Sequence, residues 1–287
     1  MPKIKPLYLS LVLAIPLYGC SSGLIKQNTS LVDYFAVNGY GEGVAVVQHP
    51  AGEHRDGITY VTYQGKKEDP YVAAYDHKKN KWFGPYQAGS SILGKDPTKK
   101  IDSHGKPTMI IDDAGYIHIF YGGHGGMNAL HGKNNFGDSH SGENKHAVST
   151  NPYDISSWEN LDNISPFGTY NQAIKMDNGD IYLFYRHGAH RSDWVYQKSS
   201  DNGRTFEAPI AFLKHKKRND MPSDDSWYAY VSKGINDDIV IGFDYHFCWD
   251  INTRRGQHVG HNTERKNLYF MVFNTETDQW RNVKGEP

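Results

Sequence analysis

Gly115-Tyr-Ile-His-Ile-Phe-Tyr121 decides how this chain folds, because it recurs. Gly57-Ile-Thr-Tyr-Val-Thr-Tyr63, Gly179-Asp-Ile-Tyr-Leu-Phe-Tyr185 and Asp238-Ile-Val-Ile-Gly-Phe-Asp-Tyr245 repeat its form. Each opens on a Gly/Asp turn, runs through β-branched and aromatic residues, and leads to a further strand and a closing aromatic: Trp82, Trp158, Phe206 and Trp280. The spacing is about 60 residues, and a fixed long period marks stacked or radial repeats. Helical periodicity is nearly absent, and short alternating runs broken by Gly, Asn, Asp and Pro predict all-β structure.

The third repeat ends in Ser199-Ser-Asp-Asn-Gly-Arg-Thr-Phe206, which fits the Asp-box pattern of a tight hairpin. There the Asp bonds the turn amides, Gly203 takes a left-handed conformation and the aromatic plugs the sheet. Together these features predict a β-propeller of four-stranded antiparallel blades. The second repeat carries an insertion, Met127 to Lys145, expected to be a surface loop beside the site. At this period the chain makes only about four to five blades. The propeller is therefore expected to be incomplete, a shortened product of a longer protein.

The net charge of −1 over 287 residues points away from nucleic acid, and aromatics at 13% suit strands and sugar-stacking surfaces alike. The N-terminus reads as an export signal over residues 1–20, with Lys3 and Lys5 ahead of an apolar run from Leu7 to Leu17 too short to span a bilayer. Leu17-Tyr-Gly-Cys20 resembles a lipoprotein site. It predicts lipidation at Cys20 and an exported protein, secreted or lipid-anchored at the outer membrane of a bacterial envelope. Residues 21–287 form the propeller domain, expected to be monomeric.

In a propeller blade the first strand starts where the second ends. Those places carry His104, Tyr170 and Tyr228 on first strands, and His124, Arg186 with His187, and His246 on second strands. Three successive blades thus aim acid/base groups and a fixed cation at one rim. Arg186 grips a carboxylate in two places and cannot lose its proton. No Asp/Glu pair occupies these positions, which argues against hydrolysis of a glycosidic bond by two carboxyl groups. β-Elimination of a uronate polymer needs this set instead: a cation to neutralise the carboxylate, a base for the C5 proton and an acid for the leaving O4.

The segment from Asp102 to His124, with Tyr170, Arg186 and Tyr228, resembles the bacterial ulvan lyases among the neuraminidase-like repeat proteins, from roughly Asp102 to Phe270. The resemblance implies a seven-bladed propeller that cleaves ulvan between sulfated rhamnose and glucuronate or iduronate. It implies Tyr170 as main base and acid, His104 as a second proton-transfer group, Arg186 as the neutralising cation, and His124 and Tyr228 as substrate-positioning groups. Lys106 or Arg191 would meet the sulfate. His190, His246, Cys248 and His261, with His258 as a substitute, make a three-His, one-Cys set that suits a structural zinc, and the resemblance also implies one. The rival readings are a non-catalytic carbohydrate-binding propeller lipoprotein and a sialidase-like hydrolase.

Overall fold

In each repeat the strand that the sequence marks is the second of four. The computed structural model describes residues 35–41, 47–216, 219, 227–246 and 265–287. The segment expected to be an export signal, Cys20, Cys248, His258 and His261 lie outside them. The first sheet takes β1 (Gly52–Arg55), β2 (Ile58–Gln64), β3 (Pro70–Asp76) and β4 (Lys81–Gln87). The second takes β5 (Thr108–Ile111), β6 (Ile117–His124), β7 (Ser141–Ser149) and β8 (Trp158–Leu161). The third takes β9 (Thr169–Lys175), β10 (Ile181–Arg186), β11 (Trp194–Ser199) and β12 (Ile210–Leu213). The fourth takes β13 (Trp227–Lys233), β14 (Asp238–His246), β15 (Arg265–Asn274) and β16 (Gln279–Asn282). Each sheet is an antiparallel meander with its strands in chain order, the blade of a propeller.

First strands stand next to one another in turn, β1 by β5, β5 by β9 and β9 by β13. Both faces of the middle blades are therefore buried, and alternate residues of one strand face different neighbours. Ile117, Ile119 and Tyr121 pack with Tyr60, Val72 and Ala74 of the first blade, whereas Phe120 packs with Leu183 and Tyr185 of the third. Tyr182 and Phe184 face Val231, Ile239 and Phe273 of the fourth. Each such fully buried side chain contributes about 1.5–3 kcal/mol.

The Asp-box forms as the sequence predicts. Asp201 accepts from the Thr205 amide at 2.8 Å and Gly203 has φ of +73°. Its turn also reaches the second blade. Asn163 donates to the Gly203 and Arg204 carbonyls at 2.9 Å, and its oxygen meets His146 Nδ1 at 2.9 Å. His146 in turn meets His118 at 2.9 Å, both fully buried. A polar row thus crosses an otherwise apolar interface with its groups paired. At the axis, the His49 carbonyl accepts from Ala173 at 2.9 Å while its ring meets the Val231 carbonyl at 2.6 Å, tying the third blade to the fourth.

The insertion lies largely at the surface beside the site, as expected. It holds α1 (Asn128–His131) and the start of β7, and it is tied to the third blade. Asn134 is buried and donates to the His187 carbonyl at 2.6 Å, while Gly137 bridges Ser192.

Candidate functional site

Three blades deliver their rim residues to one place. The loop before β5 carries His104 to the end of β6, where Gly122 donates to the Gly105 carbonyl at 2.8 Å. No Cβ fits at Gly105, since it would lie 2.7 Å from the Gly122 carbonyl carbon. The His104 and His124 rings stack with centroids 3.7 Å apart and 9° between planes.

Asp102 joins them. Its Oδ1 accepts from His104 Nδ1 at 2.7 Å and its Oδ2 from His124 Nδ1 at 2.6 Å. Burial alone would raise this carboxyl, but the hydrogen bonds from His104 and His124 outweigh it and hold the group well below the usual carboxylate range. His124 is pushed down to about 4, burial outweighing the pull of Asp102. It is therefore a neutral imidazole at neutral pH, a donor through Nδ1. His104 is the more open ring, its side chain 36% exposed against 12% for His124. The three residues could also gather around a cation by distance. The parallel rings, each Nδ1 on its own carboxylate oxygen, make a hydrogen-bonded set in which His104 is the more open ring and its Nε2 takes no bond to Asp102.

Tyr170 follows on the third blade. Its φ of +65° places it in the left-handed region, which costs about 1–3 kcal/mol in a bulky residue and persists only where surroundings impose it. Here a β-bulge does so: Phe184 pairs Gln172 but Arg186 pairs Thr169, so Tyr170 and Asn171 oppose Tyr185 alone. The Tyr170 ring lies 5.6 Å from that of His104, and its hydroxyl meets the Tyr228 hydroxyl of the fourth blade at 3.3 Å. Burial raises Tyr170 well above the ordinary tyrosine value, against the lowering effect of Arg186. It is a phenol at neutral pH.

Arg186 lies beneath both rings, 1% exposed, its guanidinium 4.9 Å from the Tyr170 centroid and 5.4 Å from that of Tyr228. Arg265 covers Tyr228 from another side at 4.4 Å. Arg186, a buried cation over aromatic faces, is attracted to them and loses little to solvent screening, whereas Arg265 is exposed.

His104, His124, Tyr170, Arg186 and Tyr228 thus share one site. His187 does not join it: the ring is 4% exposed and turned to Ser165 and Asn134, and burial pushes it down to about 4. His246 is 2% exposed, its ring edge-on to Tyr228 at 5.1 Å and 5.9 Å from that of His190. Lys106 is buried, which removes it as a surface cation for sulfate. Arg191 lines a polar groove of about 430 Å³ with Asn128, Lys133 and His140, and His140 lies 4.3 Å from the His124 ring. Sequence reasoning missed Asp102, His140 and Arg265. Asp102 had a local signal, an Asp two residues before a His in a turn, and its Oδ1 accepts from the His104 amide at 3.0 Å. Nothing local marks the other two.

Comparison with known proteins agrees with this fold. "Ulvan Lyase-PL25" of Pseudoalteromonas sp. (strain PLSV) is 65% identical over 260 residues, covering 89% of this chain and 52% of its own length. "Ulvan lyase" of Alteromonas sp. (strain LOR) is 62% identical over 271 residues, 93% of this chain and 55% of its own length. A solved structure of a PL25 ulvan lyase bound to -[GlcA(1-4)Rha3S]- superposes with a TM-score of 0.83 at 64% identity, covering 89% of this chain and 58% of that one. The chain spans about half the length of the curated relatives it matches. The model of the BNR repeat-containing family matches residues 134–287. More than half of the sequence falls within that match, and the chain belongs to the BNR repeat-containing family.

Proposed function

We propose that this chain carries the catalytic rim of a polysaccharide lyase that cleaves ulvan by β-elimination, between sulfated rhamnose and glucuronate or iduronate, leaving an unsaturated uronyl end. One observation carries the reading: an Asp102-held imidazole and a half-buried phenol lie together beside a buried guanidinium. Ulvan lyases at 62–65% identity support it.

The uronate carboxylate is drawn to Arg186, whose charge offsets the negative charge that grows on C5 and its carboxyl as the proton leaves. His104 Nε2 takes the C5 proton, since Asp102 fixes the Nδ1–H tautomer and leaves Nε2 as the acceptor. Tyr170 enters as a phenol and gives its proton to O4 as the C4–O4 bond breaks and C4=C5 forms. His104 then returns its proton to solvent and Tyr170 regains one. His124 holds Asp102 from the far side, and Tyr228 holds the Tyr170 hydroxyl. For the opposite C5 epimer the proton leaves from the other face: Tyr170 first gives its phenol proton to solvent, the phenolate beside Arg186 takes the C5 proton, and the phenol so formed protonates O4.

His190 and His246 are proposed as two ligands of a structural zinc, with Cys248 and His261 completing the set. A ring separation of 5.9 Å between adjacent blades suits two imidazoles on one ion. The ion would tie β14 to the β10–β11 turn and takes no part in the reaction. Export with lipidation at Cys20 is the reading of the N-terminal sequence, and ulvan as a large external polymer fits it.

Mixing the protein with ulvan and following the ultraviolet absorbance of the conjugated uronate tests the function. Lyase action raises it, whereas hydrolysis or mere binding leaves it flat. Tyr170→Phe and Arg186→Ala each abolish the rise while far-ultraviolet circular dichroism stays that of the parent. A fully active Arg186→Ala protein overturns the mechanism.

A further inference from the structure

Beside the site, on the first blade, a groove of about 440 Å³ is lined by Lys66, Lys67, Asp69, Tyr71, Gln87, Ser90 and Lys95. Its floor is built with unusual care. Lys67 and Glu68 are consecutive left-handed residues, with φ of 61° and 58°. Such a pair is strained, and strain of this kind persists where packing imposes it and clusters at ligand sites. The packing is visible. Gly94 admits the turn, since a Cβ there would lie 2.6 Å from the Lys67 carbonyl. The Gly65 amide donates to Asp69 O at 2.9 Å, and the Glu68 amide to Gly65 O at 3.0 Å.

The charges are sorted as well. Asp69 is spent on Lys95 at 2.5 Å, the Ser91 amide at 2.8 Å and Gln87 at 3.1 Å. Glu68 turns inward, 3% exposed, and burial raises its carboxyl against the lowering effect of the Asp102 amide. Lys66 and Lys67 stay exposed, and no carboxylate pairs with either among the described residues. The groove therefore presents two uncompensated ammonium groups on a rigid turn.

That turn touches the site. The Asp102 amide donates to Glu68 Oε1 at 2.9 Å. The residue that holds His104 and His124 is thus hydrogen-bonded to the residue next to Lys67.

We propose that the Lys66–Lys67 groove is an anion subsite that grips a sulfate ester or uronate carboxylate on sugar units flanking the bond to be cleaved. The inference rests on the ulvan reading of the neighbouring site and extends it to how the polymer is held. Two point cations suit a sulfate, whose charge is spread over three oxygens and makes little demand on angle. The subsite acts on capture of the polymer and leaves the chemical step alone.

The test is the double substitution Lys66→Gln, Lys67→Gln. Glutamine removes the charge, shortens the stem, and like lysine is unbranched at Cβ, so it adds no steric change at either backbone position. Initial rates of ultraviolet rise with ulvan give kcat and KM at low and at raised sodium chloride. Calorimetric binding of an ulvan oligosaccharide to the same pair of changes in a Tyr170→Phe background gives a readout free of catalysis. KM rises by about three- to tenfold, with kcat unchanged, as expected for two exposed ionic contacts. KM of the variant is also less sensitive to salt than that of the parent. Oligosaccharide affinity falls by the same factor, and desulfated ulvan narrows the gap between variant and parent if the sulfate is the group gripped. A parent that cleaves ulvan while the variant keeps the same KM, affinity and salt response overturns the subsite and leaves the lyase reading standing. A parent that neither cleaves nor binds ulvan overturns both.

Discussion

Asp102→Asn is the sharpest probe of the site, because an amide cannot do what the carboxylate does. Asp102 accepts three bonds: from the His104 amide at 3.0 Å, His104 Nδ1 at 2.7 Å and His124 Nδ1 at 2.6 Å. Asparagine offers one accepting oxygen and one donating nitrogen. One imidazole then faces a donor with its own donor and must turn away or change tautomer. If it is His104, Nε2 carries the hydrogen and can no longer take a proton. Losing a correctly presented general base costs about 10²- to 10⁴-fold in kcat. KM for ulvan changes little, since Asp102 lies behind the imidazoles. A hydrogen bond to a charged group is worth about 1.5–3 kcal/mol. Relief of the buried charge offsets part of the loss, so net stability falls by about 1–2 kcal/mol. Continuous ultraviolet assays give kcat and KM, and urea unfolding gives the stability. A variant with kcat within about threefold of the parent and unchanged stability refutes that role for Asp102.

His124 is held at about 4 in the folded protein, below the ordinary histidine value of about 6.5, so the unfolded chain takes up a proton first as pH falls. Its contribution to stability is complete above about pH 6.5 and fades toward pH 4, on the order of 3 kcal/mol at most, and His187 behaves alike. Glu53, Glu68 and Asp244, raised by burial, work in the opposite direction, so the comparison that isolates the effect is His124→Gln against parent in urea at pH 7 and pH 4.5. Parallel losses in the two proteins would exclude His124 as a source. Gly203→Ala forces alanine to φ of +73° with its Cβ 2.7 Å from His118 Cε1, and unfolding should show a loss of about 2–4 kcal/mol; a loss below about 0.5 kcal/mol contradicts the contact. Metal analysis of purified protein should find zinc, and a strong chelator or His190→Ala should lower Tm; protein free of zinc at full stability removes that site.

The blades were legible because both faces of each middle strand are buried. An apolar run such as Ile117-His-Ile-Phe-Tyr121 leaves little choice but a central strand. The rim was legible by equivalence: His124, Arg186 and His246 end the second strands of three repeats, and Tyr170 and Tyr228 fall second in first strands, while His104 lies in the loop just ahead of β5. Equivalence says which end of a strand a residue occupies, not what its side chain meets. His187 neighbours Arg186 in sequence, yet Asn134 and Ser165 draw it inward. Lys106 sits two residues past His104, where the chain has already turned under the surface. Asp102 lay outside the equivalent positions, so its role depended on two histidines meeting at the end of β6, a tertiary fact.

Irregular pairing is the feature that no periodic reading supplies, and it recurs where the site is made. In the second blade the register shifts between Tyr121 and Gly123, just before His124. In the third it shifts between Phe184 and Arg186, and in the fourth between Asp244 and Tyr245, just before His246. Each shift falls beside a buried tyrosine: Tyr121, Tyr185 or Tyr245. A bulge bends its strand and re-aims the side chains beyond it. In the third blade the consequence can be followed atom by atom. An unbroken register would set Tyr170 directly opposite Arg186; the extra residue puts Thr169 there instead. Tyr170 is then free to fold its ring over the guanidinium at 4.9 Å while its hydroxyl reaches Tyr228 in the next blade. Tyr121 and Tyr185 anchor their strands against the neighbouring blade, so the bend is taken up at the rim. The repeat thus supplies identical scaffolding to each blade, and the local breaks in its pairing turn equivalent positions into a phenol, an imidazole and a guanidinium around one space.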